Sequence, residues 1–209
     1  MVLHTLRCIG FSIESRVVTA TGLTLETTTG DLENLKLHGL VIDTPGPFGG
    51  WALTDEGRLV DQRLINEELE ITGARDHVQT SYESFLRLNP SLLGISTDWQ
   101  MVRVGDSHII NDHRDSEYDS RVLARLIKID WRAQRICADL SGGLTRFGSY
   151  GPRLSTALGR ALAGDHAFVT DDLESYHNVW FQLHEDLLVT LGIYRDDERR
   201  PAPSSSSWG

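Results

Sequence analysis

The sequence predicts a mainly α-helical protein: three short helices and a β-hairpin in residues 1–58, an all-α part over 59–195, and a disordered tail over 196–209. Three observations lead there. Through most of the second part, apolar residues recur at intervals of three and four, the spacing of one helix face. A turn rich in Gly and Pro, DTPGPFGG, separates two short β-prone runs. The closing stretch, DDERRPAPSSSSWG, is charged and then rich in Pro and Ser, too poor in apolar residues to order itself.

The elements follow in order. Residues 2–11 place Leu3, Leu6, Ile9 and Phe11 on a short amphipathic helix. Residues 12–21 form a second helix with Ser12 as its cap. Gly22 breaks the chain and Leu23 re-enters the core. Thr24 caps a third helix that carries Leu25, Thr28, Leu32 and Leu35 and ends at His38-Gly39. Leu40-Val41-Ile42 and Trp51-Ala52-Leu53 are the strands on either side of the turn. Thr54 caps the next helix, with Asp55 and Glu56 in its first turn, where the helix dipole favours negative charge. Helices are predicted over 55–72 and 74–88, the latter carrying Val78, Tyr82, Phe85 and Leu86. The longest stripe is Val122, Leu126, Ile129, Ala133, Ile136 and Leu140, begun by Asp115 or Ser116 and ended by Gly142-Gly143. A helix from Pro152 carries Leu154, Leu158 and Leu162 up to Gly164. The last, from Asp172 to Leu191, carries Leu173, Tyr176, Trp180, Leu183 and Leu187.

Composition bounds the function. With 209 residues, 40% hydrophobic and 24% charged, the chain can bury a core and belongs with soluble globular proteins. No run of apolar residues is long enough for a membrane span, and MVLHTLRCIGF lacks a cleavage signal. Lys and Arg number 20 against 30 Asp and Glu, a net charge of −10, which excludes a broad electrostatic grip on nucleic acid and leaves room only for a local basic patch. Cys8 and Cys137 fit no metal or redox spacing and read as buried thiols in a reducing, cytoplasmic compartment.

Helix, helix, tight glycine turn, helix and hairpin is the order of a helix-turn-helix with a wing. The runs ATGL (Ala20 to Leu23), HGLV (His38 to Val41), the glycine-rich hairpin and WALTDEGR (Trp51 to Arg58) resemble the winged helix of MarR-type transcriptional regulators. The resemblance implies that the third helix enters the DNA major groove, presenting Thr24, Glu26, Thr27, Thr29, Gly30 and Glu33, with residues 44–50 as the wing tip. Thr24, Thr27, Thr29, Lys36 and Arg16 are the candidate DNA contacts. The sequence departs from the family in its charge. Residues 1–60 hold four cations, Arg7, Arg16, Lys36 and Arg58, against seven anions, and the hairpin tip has no basic residue. DNA affinity draws heavily on phosphate neutralisation. A winged helix that serves only protein contacts is therefore the competing reading. MarR-type proteins place a dimerisation helix ahead of the winged helix. Here that unit begins almost at residue 1, so a homodimer would form through the C-terminal helices.

The remainder resembles actinobacterial proteins in which such a unit precedes a small helical domain, on the stretches LNPSLLGISTDWQ, INDHRDSEYD, YGPRL and WFQLHEDLL. The resemblance suggests an enzyme partner such as a phosphoenolpyruvate-utilising phosphotransferase. The sequence holds no nucleophile elbow, P-loop, dinucleotide fingerprint or zinc-protease motif, so no catalytic residue and no cofactor are expected. Asp106, His108, Asn111, Asp112, His113 and Asp115 gather metal-capable groups in one loop. They match no ligand spacing, so turn-forming and helix-capping roles are expected and no metal. His177 and His184 lie two turns apart on the last helix, too far for one metal. With Trp99, His113, Arg132 and Trp180 they are the candidate lining of an effector pocket. Trp131 and Tyr150 are further walls, and Arg135 or Arg153 could hold an anion. A DNA-binding regulator, an interaction module and a metal-dependent enzyme on the 106–115 loop are the three readings in hand.

Overall fold

The computed structural model describes residues 1–194 and is mainly helical; the tail expected to be disordered lies outside the described residues. Its first part opens with α1 (Val2–Ile9), α2 (Glu14–Thr21) and α3 (Leu25–Leu37). An antiparallel hairpin of β1 (Val41–Thr44) and β2 (Gly50–Leu53) follows, in register from Val41 opposite Leu53 to Thr44 opposite Gly50. Val2, Leu3, Leu6, Val17, Leu32, Val41, Trp51 and Leu53 form one buried cluster between the helices and the hairpin. Gly22 takes a left-handed φ of 71°, which lets α2 end and the chain turn into α3 within three residues. Thr24 accepts the Thr27 N–H as the cap of α3.

Ser12 is not the cap of α2. Its backbone pairs with Trp51 in both directions, at 3.0 and 2.8 Å, and so adds a third short segment beside the hairpin. The side chain cannot serve a helix whose first residue is Glu14 while its own backbone is held in extended pairing. Leu25 is exposed on α3, since only Thr28 and Leu32 of that helix are buried.

The helix α4 (Asp55–Thr72) joins two cores: Val60 packs on the first, and Leu69 belongs to the second. Thr54 caps it by accepting the Gly57 N–H at 2.9 Å. Gly57 has no alternative there, because a Cβ would lie 2.0 Å from the Leu40 carbonyl oxygen.

The second part consists of α5 (Arg75–Gln100), a hairpin of β3 (Met101–Val104) and β4 (Ser107–Ile110), α6 (Ser116–Gly143), a 3-10 turn (Thr145–Ser149), α7 (Tyr150–Leu162), a short α8 (Ala167–Thr170) and α9 (Tyr176–Leu191). Its core runs through Phe85, Leu92 and Trp99 of α5, Leu126, Ala133 and Leu140 of α6, Leu154 of α7, and Trp180, Leu183 and Leu187 of α9. The helix expected to stop at residue 88 continues through Pro90 to Gln100. Phe85, Leu88, Leu92, Ile95 and Trp99 keep the three-and-four spacing and are all buried, so packing outweighs the hydrogen bond that Pro90 cannot donate. Part of the 106–115 stretch expected as a loop forms β4 instead, which pairs with β3 and is exposed along its whole length. The last helix starts at Tyr176, four residues later than expected, leaving Leu173 exposed; Leu162 is exposed at the end of α7. Among the described residues no helix is long and apolar enough to cross a membrane.

Candidate functional site

The outward face of α3 is set by the two residues that the helix buries. Thr28 and Leu32 anchor the helix, which leaves Glu26, Thr27, Thr29, Gly30 and Glu33 exposed together. Beside it the hairpin tip carries Phe48, 91% exposed. The candidate DNA contacts are occupied internally. The Thr24 hydroxyl caps α3 and lies 2.9 Å from that of Thr27. The Thr29 hydroxyl meets the Leu25 carbonyl and the Glu14 carboxylate. Lys36 pairs with Asp43 at 3.1 Å and sits over the Trp51 ring. Arg16 donates to Ser12 at 3.2 Å and to the Ile9 carbonyl, and burial lowers its pKa. Arg7 donates to the Arg58 carbonyl and to Gln62. Arg7, Arg16 and Lys36 thus do not converge on the face of α3.

The six candidate pocket residues separate into three places. Trp180 and His184 are buried against Phe85, Trp180 stacked at a centroid distance of 4.3 Å and His184 tilted at 4.9 Å, and the Trp180 N–H donates to Asn89 at 3.0 Å. His177, on the same helix, meets Ser96 at 3.2 Å, and burial lowers its pKa. These three side chains are core and core edge. Trp99 and His113 meet elsewhere, at a centroid distance of 4.6 Å. Arg132 opens onto a cleft of about 340 Å³ between α5 and α6, beside Trp131, Arg135 and Arg87 and above the apolar Leu88 and Ile136. Trp131 is 64% exposed, and the Arg135 guanidinium lies 5.2 Å from its ring centroid. An exposed aromatic plane flanked by guanidinium groups suits a small anionic, planar ligand. Arg153 is not part of it: Glu174 holds it through two contacts of 2.8 and 3.0 Å.

Comparison of the chain with family models, curated proteins and solved structures finds no match.

A buried polar network that the sequence did not announce links α1, α4 and α9. His4 of α1 directs Nδ1 to Asp61 of α4 at 3.1 Å and Nε2 to Asp186 of α9 at 3.0 Å. Asp186 also accepts from Tyr150 at 2.9 Å, from Thr190 at 3.1 Å and from Arg146, whose Nε reaches Glu68 at 2.7 Å. Burial by itself disfavours the charged imidazole, yet Cys8, Asp186 and Asp61 outweigh it, and the His4 pKa stands well above its ordinary value. Burial alone would likewise raise the Asp186 pKa, but Arg146 and His4 hold it far below the usual carboxylate range. The adjacent cavity is about 20 Å³, the space of one water, so no substrate fits beside these groups. The network joins the two parts of the chain. Burial raises the pKa of both cysteines, that of Cys137 to about 12, which keeps them as unreactive thiols.

In the 106–115 loop, Asp115 caps α6 by accepting the Glu117 and Tyr118 N–H groups, and Asp112 accepts the Arg114 N–H. His113 turns inward instead, toward Asp119 at 3.0 Å. Asp119 fits the ordinary pattern of acidic residues at a helix start, so nothing in its position marked it out.

Proposed function

We propose that the protein is a MarR-like winged-helix transcriptional regulator. In this reading residues 1–58 address DNA through α3, and the helical part dimerises or binds a small effector. The observation that carries it is the exposed face of α3, held at a three-residue turn from α2 and set beside a projecting hairpin. The turn at Gly22 and the Ser12–Trp51 pairing behind the hairpin support the same reading. Gly30 leaves a bare spot mid-way along that face, where nothing lies within 4 Å of a would-be Cβ. In the DNA complex α3 lies in the major groove and the Phe48 tip lies against the backbone or minor groove. The cleft at Trp131, Arg132 and Arg135 takes the effector, a small anion. Its occupancy shifts the population between dimer forms with different spacing of the two α3 helices.

A second reading is favoured by the internal pairing of Arg7, Arg16 and Lys36. An α3 face of Thr and Glu beside exposed Phe48 and Leu37 suits a protein surface better than phosphates. The chain is then a docking module for an enzyme, of which a phosphoenolpyruvate-utilising phosphotransferase is one candidate.

Fluorescence-anisotropy titration of the full chain against DNA from upstream of its own gene, over a salt series, separates the two. A preference over scrambled duplex of equal length, lost in a Thr27→Ala/Thr29→Ala variant with unchanged circular dichroism, supports the regulator. Absence of any preference at low salt removes it and leaves the docking module, to be tested by pull-down.

A further inference from the structure

Three ligand-capable side chains from three separate segments face one another at one end of the helical part. His113 lies between the β3–β4 hairpin and α6, Asp119 in the first turn of α6, and His166 immediately before α8. One ligand atom from each, an imidazole nitrogen or a carboxylate oxygen, lies within 4.8 Å of the other two. The imidazole centroids are 5.7 Å apart. Trp99 walls the cluster on its inner side, tilted against His113 at 4.6 Å and edge-on to His166 at 5.2 Å.

The set is oriented from behind. Asn111 donates to Asp119 Oδ1 at 2.9 Å and to the Trp99 carbonyl at 2.9 Å, and its own oxygen accepts the His113 backbone N–H at 3.1 Å. An amide that holds both the carboxylate and the backbone of the neighbouring histidine is the kind of outer partner that metal ligands carry.

A second cluster of three ligand-capable side chains, His4, Cys8 and Asp186, shows what disqualifies a site. There the Arg146 guanidinium lies 3.0 Å from His4 Nε2 and bonds Asp186, so a cation is already in place. Among the described residues, Asp119 pairs with Asn111 and His113 and with no arginine or lysine. Its negative charge is open to a cation.

We propose that His113, Asp119 and His166 bind one divalent transition-metal ion, of which Zn²⁺ is the fitting example. Two imidazoles and one carboxylate are borderline-hard ligands suited to zinc, and three protein ligands leave a position for water or a small anion. The ion ties the end of α5, through Trp99, to the starts of α6 and α8. The site stands independently of the DNA reading.

The test is calorimetric titration of the full chain, stripped with a chelator, with Zn²⁺ alone, together with Co²⁺ as an absorbing probe. The expected result is one ion per chain, Co²⁺ absorption without a thiolate charge-transfer band, and a melting temperature that rises with Zn²⁺. His166→Ala and Asp119→Asn each weaken binding by more than about tenfold, the lower end of what even outer-shell partners cost. Their melting temperatures no longer respond to Zn²⁺, and Cys8→Ser binds as the parent does. Failure of the parent to bind Zn²⁺, or parental affinity in a folded His166→Ala, overturns the proposal. So does a thiolate band that disappears in Cys8→Ser, which places the ion on the buried cluster.

Discussion

His4 and Asp186, 182 positions apart, meet through a 3.0 Å contact between Nε2 and Oδ1 in the buried seam between the two parts of the chain. The other imidazole nitrogen faces Asp61. An imidazole between two carboxylates donates from both nitrogens only when protonated. The seam is therefore a pH-dependent joint.

The sign follows from the raised His4 pKa. Its contribution to stability is fully present below the unfolded value of about 6.5 and is lost as pH rises through the higher folded value. Urea denaturation at a series of pH values above 6.5 should show a falling midpoint for the parent. His4→Gln should be less stable at pH 6 and show a flatter dependence over the same range. Equal slopes in the two proteins would mean that His4 does not carry the proton.

Asp186→Asn removes the charge that Arg146, His4 and Tyr150 share. Breaking a buried pair from one side costs about 3–5 kcal/mol. Chemical denaturation should report a loss of that order. A loss under about 1 kcal/mol would mean that Glu68 and Asp61 suffice to balance the two cations.

Two glycines should respond in opposite directions. At Gly30 a Cβ meets nothing within 4 Å, so Gly30→Ala should stabilise the fold by about 0.5–1 kcal/mol. At Gly57 the added carbon collides with the Leu40 carbonyl, so Gly57→Ala should destabilise it by about 1–3 kcal/mol. If α3 docks closely on DNA, Gly30→Ala should at the same time weaken specific binding, an effect that a stability gain cannot produce.

Pro90 interrupts the hydrogen bonding of α5 without ending it. Pro90→Ala restores a donor for the Leu86 carbonyl and should raise stability by up to about 3 kcal/mol, read from the denaturation midpoint. A destabilised variant would show that the proline ring itself contributes to the packing of α5.

Much of the secondary structure was legible from local chemistry. Thr24 and Thr54 marked helix starts because a side-chain oxygen can satisfy a free N–H, and α6 announced itself by an apolar stripe from Val122 to Leu140. Both signals act over three or four residues, so a sequence displays them. What the residues do after folding was not legible. Trp180 and His184 have the composition of a pocket and became core, since burial depends on which helix packs opposite. Ser12 looks like a cap and is claimed by Trp51, a partner far along the chain. His113 was visible in its loop, but Asp119 looked like a dipole-compensating acid, and His166 carried no mark. Only the packing of α5, α6 and the α7–α8 turn brings the three within reach of one ion. The sequence by itself determined where most helices lie, the Thr24 and Thr54 caps and a net acidity, because these depend on near neighbours and composition. The tertiary structure decided which charges neutralise one another, because Coulombic pairing depends on distances that only folding creates.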